Sequence, residues 1–116
     1  VTPKMCAFNE ETFGPVMVAI KAKDAESALE LANRSEYGLG AAVWTADTER
    51  ALHFARALQA GQVSINGIVK SDPRLPSGGI KRSGFGRELG PHGIREFTNA
   101  KQIWIRSTGG PSNVEH

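Results

Sequence analysis

The sequence predicts an α/β fold, a parallel sheet whose strands alternate with helices in the order strand, helix, strand, helix, strand (βαβαβ). Three observations predict it. The continuous apolar run Val16–Ile20 is typical of a strand buried on both faces. Two segments with apolar residues at helical spacing follow this run. The β-type runs Ala41–Thr45 and Gln62–Asn66 come directly after those segments, and short helical connections of this kind join parallel strands.

The residues before the first long strand contain a break. Met5–Phe8 is predicted to form a short strand, and the acidic pair Glu10-Glu11 follows it. Phe13-Gly14-Pro15 then interrupts regular structure, because glycine and proline favour turns. The first long strand is therefore expected to begin only at Val16.

Each predicted helix begins at an aspartate, whose side chain can accept hydrogen bonds from the free N–H groups of a first helical turn. Asp24 precedes the first helix, which is expected to reach about Asn33 or Ser35. Asp47 precedes the second helix. Gly61 is predicted to end that helix as its C-terminal glycine.

The periodic pattern stops after Asn66 and resumes near Pro91, which marks the start of a short helix ending close to Phe97. Ile103 and Ile105 then alternate with the other residues of Gln102–Arg106, which gives one aliphatic face and one mixed face as in a strand, but no tight hairpin offers this strand a neighbour. A lone strand leaves its backbone groups unpaired, so its partner is expected elsewhere in a longer chain or in another subunit. Residues 107–116 are predicted to form a disordered tail.

The glycine-rich segment, Leu75–Gly93, contains six of the chain's 13 glycines. Glycines of this density indicate either positive φ angles or close backbone approach, typical of a site or a junction between elements. Its spacing G-x-G-x-x-x-G at Gly84, Gly86 and Gly90 is one residue too long for a dinucleotide fingerprint. No apolar strand leads into it, so a Rossmann-type site is rejected here.

Composition and charge exclude several classes of protein. The net charge of +2 is too small for a general nucleic-acid binder, although six Lys and Arg against two acidic residues between Lys70 and Arg95 favour an anionic ligand nearby. No apolar run approaches a membrane span. The one cysteine, Cys6, fits a reducing compartment, and we expect a cytoplasmic protein. The opening Val1-Thr2-Pro3 is typical of the middle of a longer chain.

Residue types alone leave the chemistry open. Glu11 beside a rigid turn could accept hydrogen bonds from a ligand's hydroxyls, and Phe13 could stack on a flat ligand. The alternatives are a solvated acidic pair and a turn-anchoring phenylalanine, and unaided these are favoured. Cys6 lies in a predicted strand, which favours a structural thiol. The three histidines lack metal-ligand spacing, so no metal site is predicted, and no catalytic constellation is complete.

Five segments carry a family resemblance. In chain order they are EETFGPV at Glu10–Val16, YGLGAAVWT at Tyr37–Thr45, ALQAGQVSIN at Ala57–Asn66, PSGGIKRSGFGRELG at Pro76–Gly90, and Phe97–Ile105. Together they resemble the C-terminal part of the aldehyde dehydrogenase superfamily. The run Asn66–Asp72 looks most like the succinate-semialdehyde dehydrogenase branch.

The resemblance assigns expected roles. Glu11 would bind the nicotinamide-side ribose of NAD or NADP, and Phe13 would pack beside the nicotinamide. Ser71, Arg74 and Ser77 would lie at the tunnel of a small aldehyde substrate. Residues 1–98 would belong to the catalytic domain. Residues 99–106 would supply an oligomerisation strand, with Gln102–Arg106 joining a homodimer or homotetramer.

Two departures from the family pattern limit these roles. Ser77 stands where the family usually has phenylalanine, so the tunnel wall is expected to differ in shape. The family's nucleophilic cysteine and general-base glutamate lie upstream of EETFGPV and have no counterpart here. The family oxidises aldehydes through a thiohemiacetal and hydride transfer. This chain alone is therefore expected to be inactive. A freestanding interaction module that binds through Gln102–Arg106 is the alternative.

Overall fold

The computed structural model describes residues 1–106, and the predicted tail at 107–116 lies outside these residues. The described part contains four helices and four short strands. In chain order they are α1 (Cys6–Asn9), α2 (Ala25–Asn33), β1 (Tyr37–Gly38), β2 (Gly40–Val43), α3 (Thr48–Ala57), β3 (Gln62–Ile65), β4 (Ile80–Lys81) and α4 (Gly90–Glu96).

The centre of the fold is one parallel β–α–β unit. Strands β2 and β3 pair in parallel over their full length, from Gly40 opposite Gln62 to Val43 opposite Ile65. Helix α3 connects them, as a parallel pair requires a crossover rather than a tight turn. This unit confirms the second half of the predicted βαβαβ order.

Aspartates cap the two long helices as predicted. The Asp24 carboxylate accepts a hydrogen bond from the Ser27 backbone N–H at 2.8 Å, and Asp47 accepts one from Arg50 N–H at 3.0 Å. The hydrogen bonds from Ser27 hold the pKa of Asp24 below its ordinary value. These caps begin α2 and α3 where the sequence predicts, and α4 contains Pro91 in its first turn.

A second, antiparallel pair anchors the glycine-rich segment. Strand β1 pairs with β4, with Tyr37 opposite Lys81 and Gly38 opposite Ile80. The Lys81 ammonium donates to the Asn33 and Ser35 carbonyls, both at 2.8 Å, where α2 ends. A cation at a helix C-terminus also complements the helix dipole. The sequence did not predict this pairing, since Ile80-Lys81 is too short to show strand periodicity.

Three predicted features differ from the structure. Residues Met5–Phe8 do not form a strand, because Met5 precedes α1 and the other three residues belong to it. The Asn9 side chain donates to the Met5 carbonyl at 2.9 Å. Val16–Ile20 has no strand assignment, because a buried strand needs neighbours on both sides and none of the described residues supplies them. Gly61 does not end α3, whose last residue is Ala57.

The described chain buries little apolar surface. Its radius of gyration is 22.0 Å and its longest dimension 74 Å, whereas a compact domain of this length has a radius of about 13 Å. Leu29 and Ala51 are its only buried hydrophobic residues, while Met17, Phe85 and Phe97 are almost fully exposed. Large apolar faces of this kind are typical of surfaces that another part of a protein covers. No helix in residues 1–106 is long and apolar enough to cross a membrane.

The run Gln102–Arg106 forms no strand within the described residues. Ile103, Trp104 and Ile105 are each more than three-quarters exposed. An alternating segment without a neighbour cannot complete a ladder of hydrogen bonds by itself. Its assignment as an oligomerisation strand stays a prediction.

Candidate functional site

A groove of about 590 Å³ follows the end of β3, and we call it the β3 groove. One wall comes from β3 itself and the other from the chain between Ile68 and Ser77. Its polar lining includes Ser64, Lys70, Ser71, Asp72 and Ser77, and its apolar lining includes Val63, Ile68, Val69 and Leu75. Loops at the carboxyl end of parallel strands commonly form ligand sites in α/β folds.

The predicted tunnel residues Ser71 and Ser77 both line this groove. Ser77 is only 8% exposed and forms an isolated antiparallel bridge with Glu88, in which each backbone N–H donates to the other residue's carbonyl at 2.8 Å. Its hydroxyl lies 3.4 Å from a Glu88 carboxylate oxygen. Ser77 is therefore a fixed part of the wall, and Ser71 is an exposed one.

Asn66 fixes the point at which the groove-forming segment leaves the sheet. Its side-chain oxygen accepts from the Thr45 N–H at 2.8 Å, and its side-chain nitrogen donates to the Thr45 carbonyl at 2.9 Å. The residue adopts φ of 52°, a conformation that asparagine tolerates better than most residues. The side chain thus continues the β2–β3 pairing for one more step while the backbone turns away.

Arg74 does not share the β3 groove with the two serines. Its guanidinium donates to both carboxylate oxygens of Asp72, from Nε at 2.9 Å and from Nη2 at 2.6 Å. Its side chain is 86% exposed and borders a separate apolar groove of about 790 Å³, which Ile94 and Phe97 also line. The sequence placed Arg74 with Ser71 and Ser77, but the short-range pair with Asp72 directs it elsewhere.

The Asp72–Arg74 pair has a clear pH dependence. Hydrogen bonds from Arg74 hold the pKa of Asp72 below its ordinary value, and Asp72 in turn raises the pKa of Arg74. A carboxylate with a lowered pKa stabilises the fold above its ordinary pKa, and this contribution is lost as the pH falls through the lowered value. At neutral pH the pair is fully charged and intact.

Four cations of the glycine-rich region are engaged within the chain. Besides Arg74 and Lys81, Arg82 donates to the Glu36 carboxylate at 2.6 Å, and Arg87 donates to the Gly79 carbonyl at 2.8 Å. Carboxylates thus pair with Arg74 and Arg82, whereas Lys81 and Arg87 donate to neutral carbonyls. The basic character of the segment therefore reflects internal hydrogen bonding as well as any ligand.

Glu11 lies in a smaller cleft of about 350 Å³, bordered by Tyr37, Gly38 and Ser83. Within residues 1–106 its carboxylate accepts no hydrogen bond, so both oxygens are available to a ligand. The segment Leu39–Ala41 borders this cleft and also a further pocket, which adjoins the β3 groove. Phe13 is 90% exposed beyond the cleft, which leaves its ring face free.

Among residues 1–106, the other candidate groups add no second site. Cys6 is exposed on α1 and is not one of the residues that line the β3 groove. Within the described part of the chain, no three His, Cys, Asp or Glu side chains are grouped to hold a metal ion.

The motifs that line these clefts match one family of proteins. The model of the aldehyde dehydrogenase family matches residues 1–103. This chain belongs to the aldehyde dehydrogenase family. The family model covers all the elements described above, including both clefts.

Individual members of the aldehyde dehydrogenase family support this assignment. The chain is 51% identical over 105 residues to a probable succinate-semialdehyde dehydrogenase (NADP+) of Synechocystis, covering 90% of this chain and 23% of that protein. It is 54% identical over 104 residues to the succinate semialdehyde dehydrogenase (NAD(P)+) Sad of Escherichia coli, covering 90% of this chain and 22% of that protein.

The fold agrees with a solved aldehyde dehydrogenase structure. The crystal structure of an NAD-dependent aldehyde dehydrogenase from Sinorhizobium meliloti superimposes with a TM-score of 0.88 at 42% identity, over 98% of this chain and 22% of that one. The chain thus spans less than a quarter of the length of these relatives. The resemblance predicted from the motifs is confirmed at the level of family and fold.

The sequence alone missed the structural roles of several residues in and around the β3 groove and the cleft that contains Glu11. Asp72 determines where Arg74 points, and the spacing Asp-Pro-Arg is a signal for such a local pair. Asn66 before Gly67 is likewise a signal for a left-handed turn residue. Lys81 and Ser83 showed no such local signal, because their partners lie more than 40 residues away in the chain.

Proposed function

We propose that this chain acts as part of an NAD- or NADP-dependent aldehyde dehydrogenase that oxidises a short aldehyde to the carboxylic acid. Water supplies the added oxygen, and the nicotinamide accepts the hydride. Succinate semialdehyde is the favoured substrate, because the two relatives described above carry that name. The single cysteine favours a reducing compartment such as the cytoplasm.

The observation that carries the proposal is the Glu11 carboxylate, which accepts no hydrogen bond within residues 1–106 and lines a cleft that shares Leu39–Ala41 with the pocket adjoining the β3 groove. Its two oxygens suit two hydroxyls of a ribose, as carboxylates in dinucleotide sites do. The exposed ring of Phe13 suits packing beside the nicotinamide. Ser71 and Ser77 would then form part of the wall along which the aldehyde enters. The nucleophile and the general base would come from the remainder of the enzyme.

The test is turnover by the complete protein that contains this segment. It is expected to reduce NAD or NADP when succinate semialdehyde is added, while the purified 116-residue chain gives none. Absorbance of the reduced nicotinamide measures both. Aldehyde-dependent reduction by the 116-residue chain would contradict the assignment of the chemistry to other segments, and an inactive complete protein would contradict the proposed function.

The exposed Gln102–Arg106 is proposed as an intersubunit strand of a homodimer or homotetramer. Replacing Ile103 by proline in the complete protein removes a backbone donor and fixes φ, so the strand should no longer pair. We expect the oligomer to dissociate or the soluble yield to collapse. Sedimentation velocity measures the assembly.

Ile103→Val is the matched control, because it keeps both the N–H group and a β-branched side chain. Its sedimentation is expected to match that of the unchanged protein. An intact and active oligomer carrying Ile103→Pro would place the interface elsewhere. A freestanding interaction module, the alternative function, would instead bind its partner without any turnover in the first test.

A further inference from the structure

We propose that Lys70 is a specificity-determining residue that binds a carboxylate at the far end of the aldehyde, an assignment that rests on the function proposed above. Lys70 lines the β3 groove together with Ser71 and Ser77. The substrate class is therefore a short aldehyde that carries a carboxylate, rather than an uncharged aldehyde of the same length.

The first step is the distribution of positive charge. Six Lys and Arg occur from Lys70 to Arg95, and four of them already donate to carboxylates or carbonyls of this chain. Within residues 1–106, the Lys70 ammonium has no carboxylate or carbonyl partner at hydrogen-bond distance. Arg95 lies in the last turn of α4 and does not line the β3 groove. Lys70 is thus the cation that this groove offers to a ligand.

The second step concerns the carboxylate on the same wall. Asp72 also lines the β3 groove, and a free Asp72 would repel an anionic ligand or pair with Lys70. Instead, the guanidinium of Arg74 binds both of its oxygens, and the Arg74 N–H donates to Oδ1 at 2.9 Å. A bidentate pair of this kind neutralises the carboxylate where it stands. The wall is left with the positive charge of Lys70.

The third step is the remainder of the lining. Ser64 and Ser71 supply hydroxyl groups that can donate to an anion, whereas the Ser77 hydroxyl already donates to Glu88, and these two serines lie near Val63, Ile68 and Leu75. An ammonium beside hydroxyls suits a carboxylate, and the aliphatic side chains suit the short hydrocarbon chain of the substrate. Lysine presents a compact charge on a flexible stem, so it can follow such a ligand without a rigid partner.

The experiment compares succinate semialdehyde with butanal, which has the same number of carbons and no charge, in the complete protein. The quantity measured is the ratio of kcat/KM for the two aldehydes. Lys70→Met is expected to lower this ratio about 10-fold or more, as expected for loss of one charge-assisted hydrogen bond. The loss should appear in KM for succinate semialdehyde, and Lys70→Arg should restore most of it.

Lys23→Met is the matched control, because it removes the same charge from a residue that lines neither cleft. Its ratio is expected to stay unchanged. If the ratio of kcat/KM is unchanged in the Lys70→Met enzyme, the assignment is overturned. This result is expected if Lys70 pairs with a carboxylate of another segment instead of the substrate. Direct calorimetric titration with succinate gives a second readout that needs no turnover. If the complete protein oxidises neither aldehyde, the proposed function fails. Succinate binding that is lost in Lys70→Met would still support the anion site at Lys70. Succinate binding that is unchanged in Lys70→Met would overturn the assignment of Lys70.

Discussion

Replacing Glu11 by glutamine in the complete enzyme is expected to slow hydride transfer while leaving the protein folded. Within residues 1–106 the carboxylate accepts no hydrogen bond, and it borders the cleft beside Tyr37 and Ser83. If it holds two ribose hydroxyls, each charge-assisted bond contributes about 1.5–3 kcal/mol. Their loss corresponds to roughly one to two powers of ten in rate for each bond. Single-turnover measurement of nicotinamide reduction isolates this step.

Glu10→Gln provides the control for this substitution. Glu10 is the neighbouring carboxylate and is also exposed, but it does not border the cleft that contains Glu11. The rate of hydride transfer by the Glu10→Gln enzyme is expected to remain within about twofold of that of the unchanged enzyme, as is usual for a surface substitution. Equal kinetics for Glu11→Gln and the unchanged enzyme, for both cofactor and aldehyde, would refute the role of Glu11.

Replacing Gly61 by alanine is expected to destabilise the enzyme strongly and to distort the β3 groove. A Cβ on Gly61 would lie 1.8 Å from the Gly78 carbonyl oxygen and 2.8 Å from its carbon. These are backbone atoms, so they can move only if the glycine-rich segment moves with them. Overpacking of this severity costs about 3 kcal/mol. The change should lower the midpoint of thermal inactivation and raise KM for the aldehyde.

Gly67→Ala is the control for this overpacking. The nearest atom to its Cβ would be the Ser64 hydroxyl oxygen at 3.4 Å, an ordinary van der Waals contact, and its φ is not in the left-handed region. The midpoint of thermal inactivation of the Gly67→Ala enzyme is expected to stay close to that of the unchanged enzyme. Equal midpoints for the two variants would show that the contact between Gly61 and Gly78 does not constrain the groove.

The local signals in the sequence predicted α2, α3 and the parallel unit well. Asp24 and Asp47 begin α2 and α3, because an aspartate and the N–H groups it caps lie within three residues of each other. The β2–α3–β3 order followed in the same way from a short helical connection between two strands. Family membership followed from five motifs in a fixed order, and the family model confirms it.

The predictions that failed depended on distant partners or on unrecognised local ones. Val16–Ile20 has the composition of a buried strand, yet a strand requires neighbours that residues 1–106 do not provide. Met5–Phe8 lies at the start of a helical turn, because the Asn9 side-chain nitrogen donates to the Pro3 and Met5 carbonyls and stabilises that turn. The family resemblance assigned Arg74 to the substrate tunnel with Ser71 and Ser77, and this role stays a prediction, although its pair with Asp72 places Arg74 at a different groove of the described chain.

The sequence by itself determined the starts of α2 and α3, the parallel unit and the family, since each depends on residues close together or on a motif read in order. Only the tertiary structure decided which charges remain available. The side chains of Lys81 and Arg82 reach Asn33 and Glu36, more than 45 residues back, through the pairing of β1 with β4. That pairing could not be predicted because two-residue strands have no periodicity. It holds these two side chains against partners within the chain, and among residues 1–106 the cation that lines the β3 groove is Lys70.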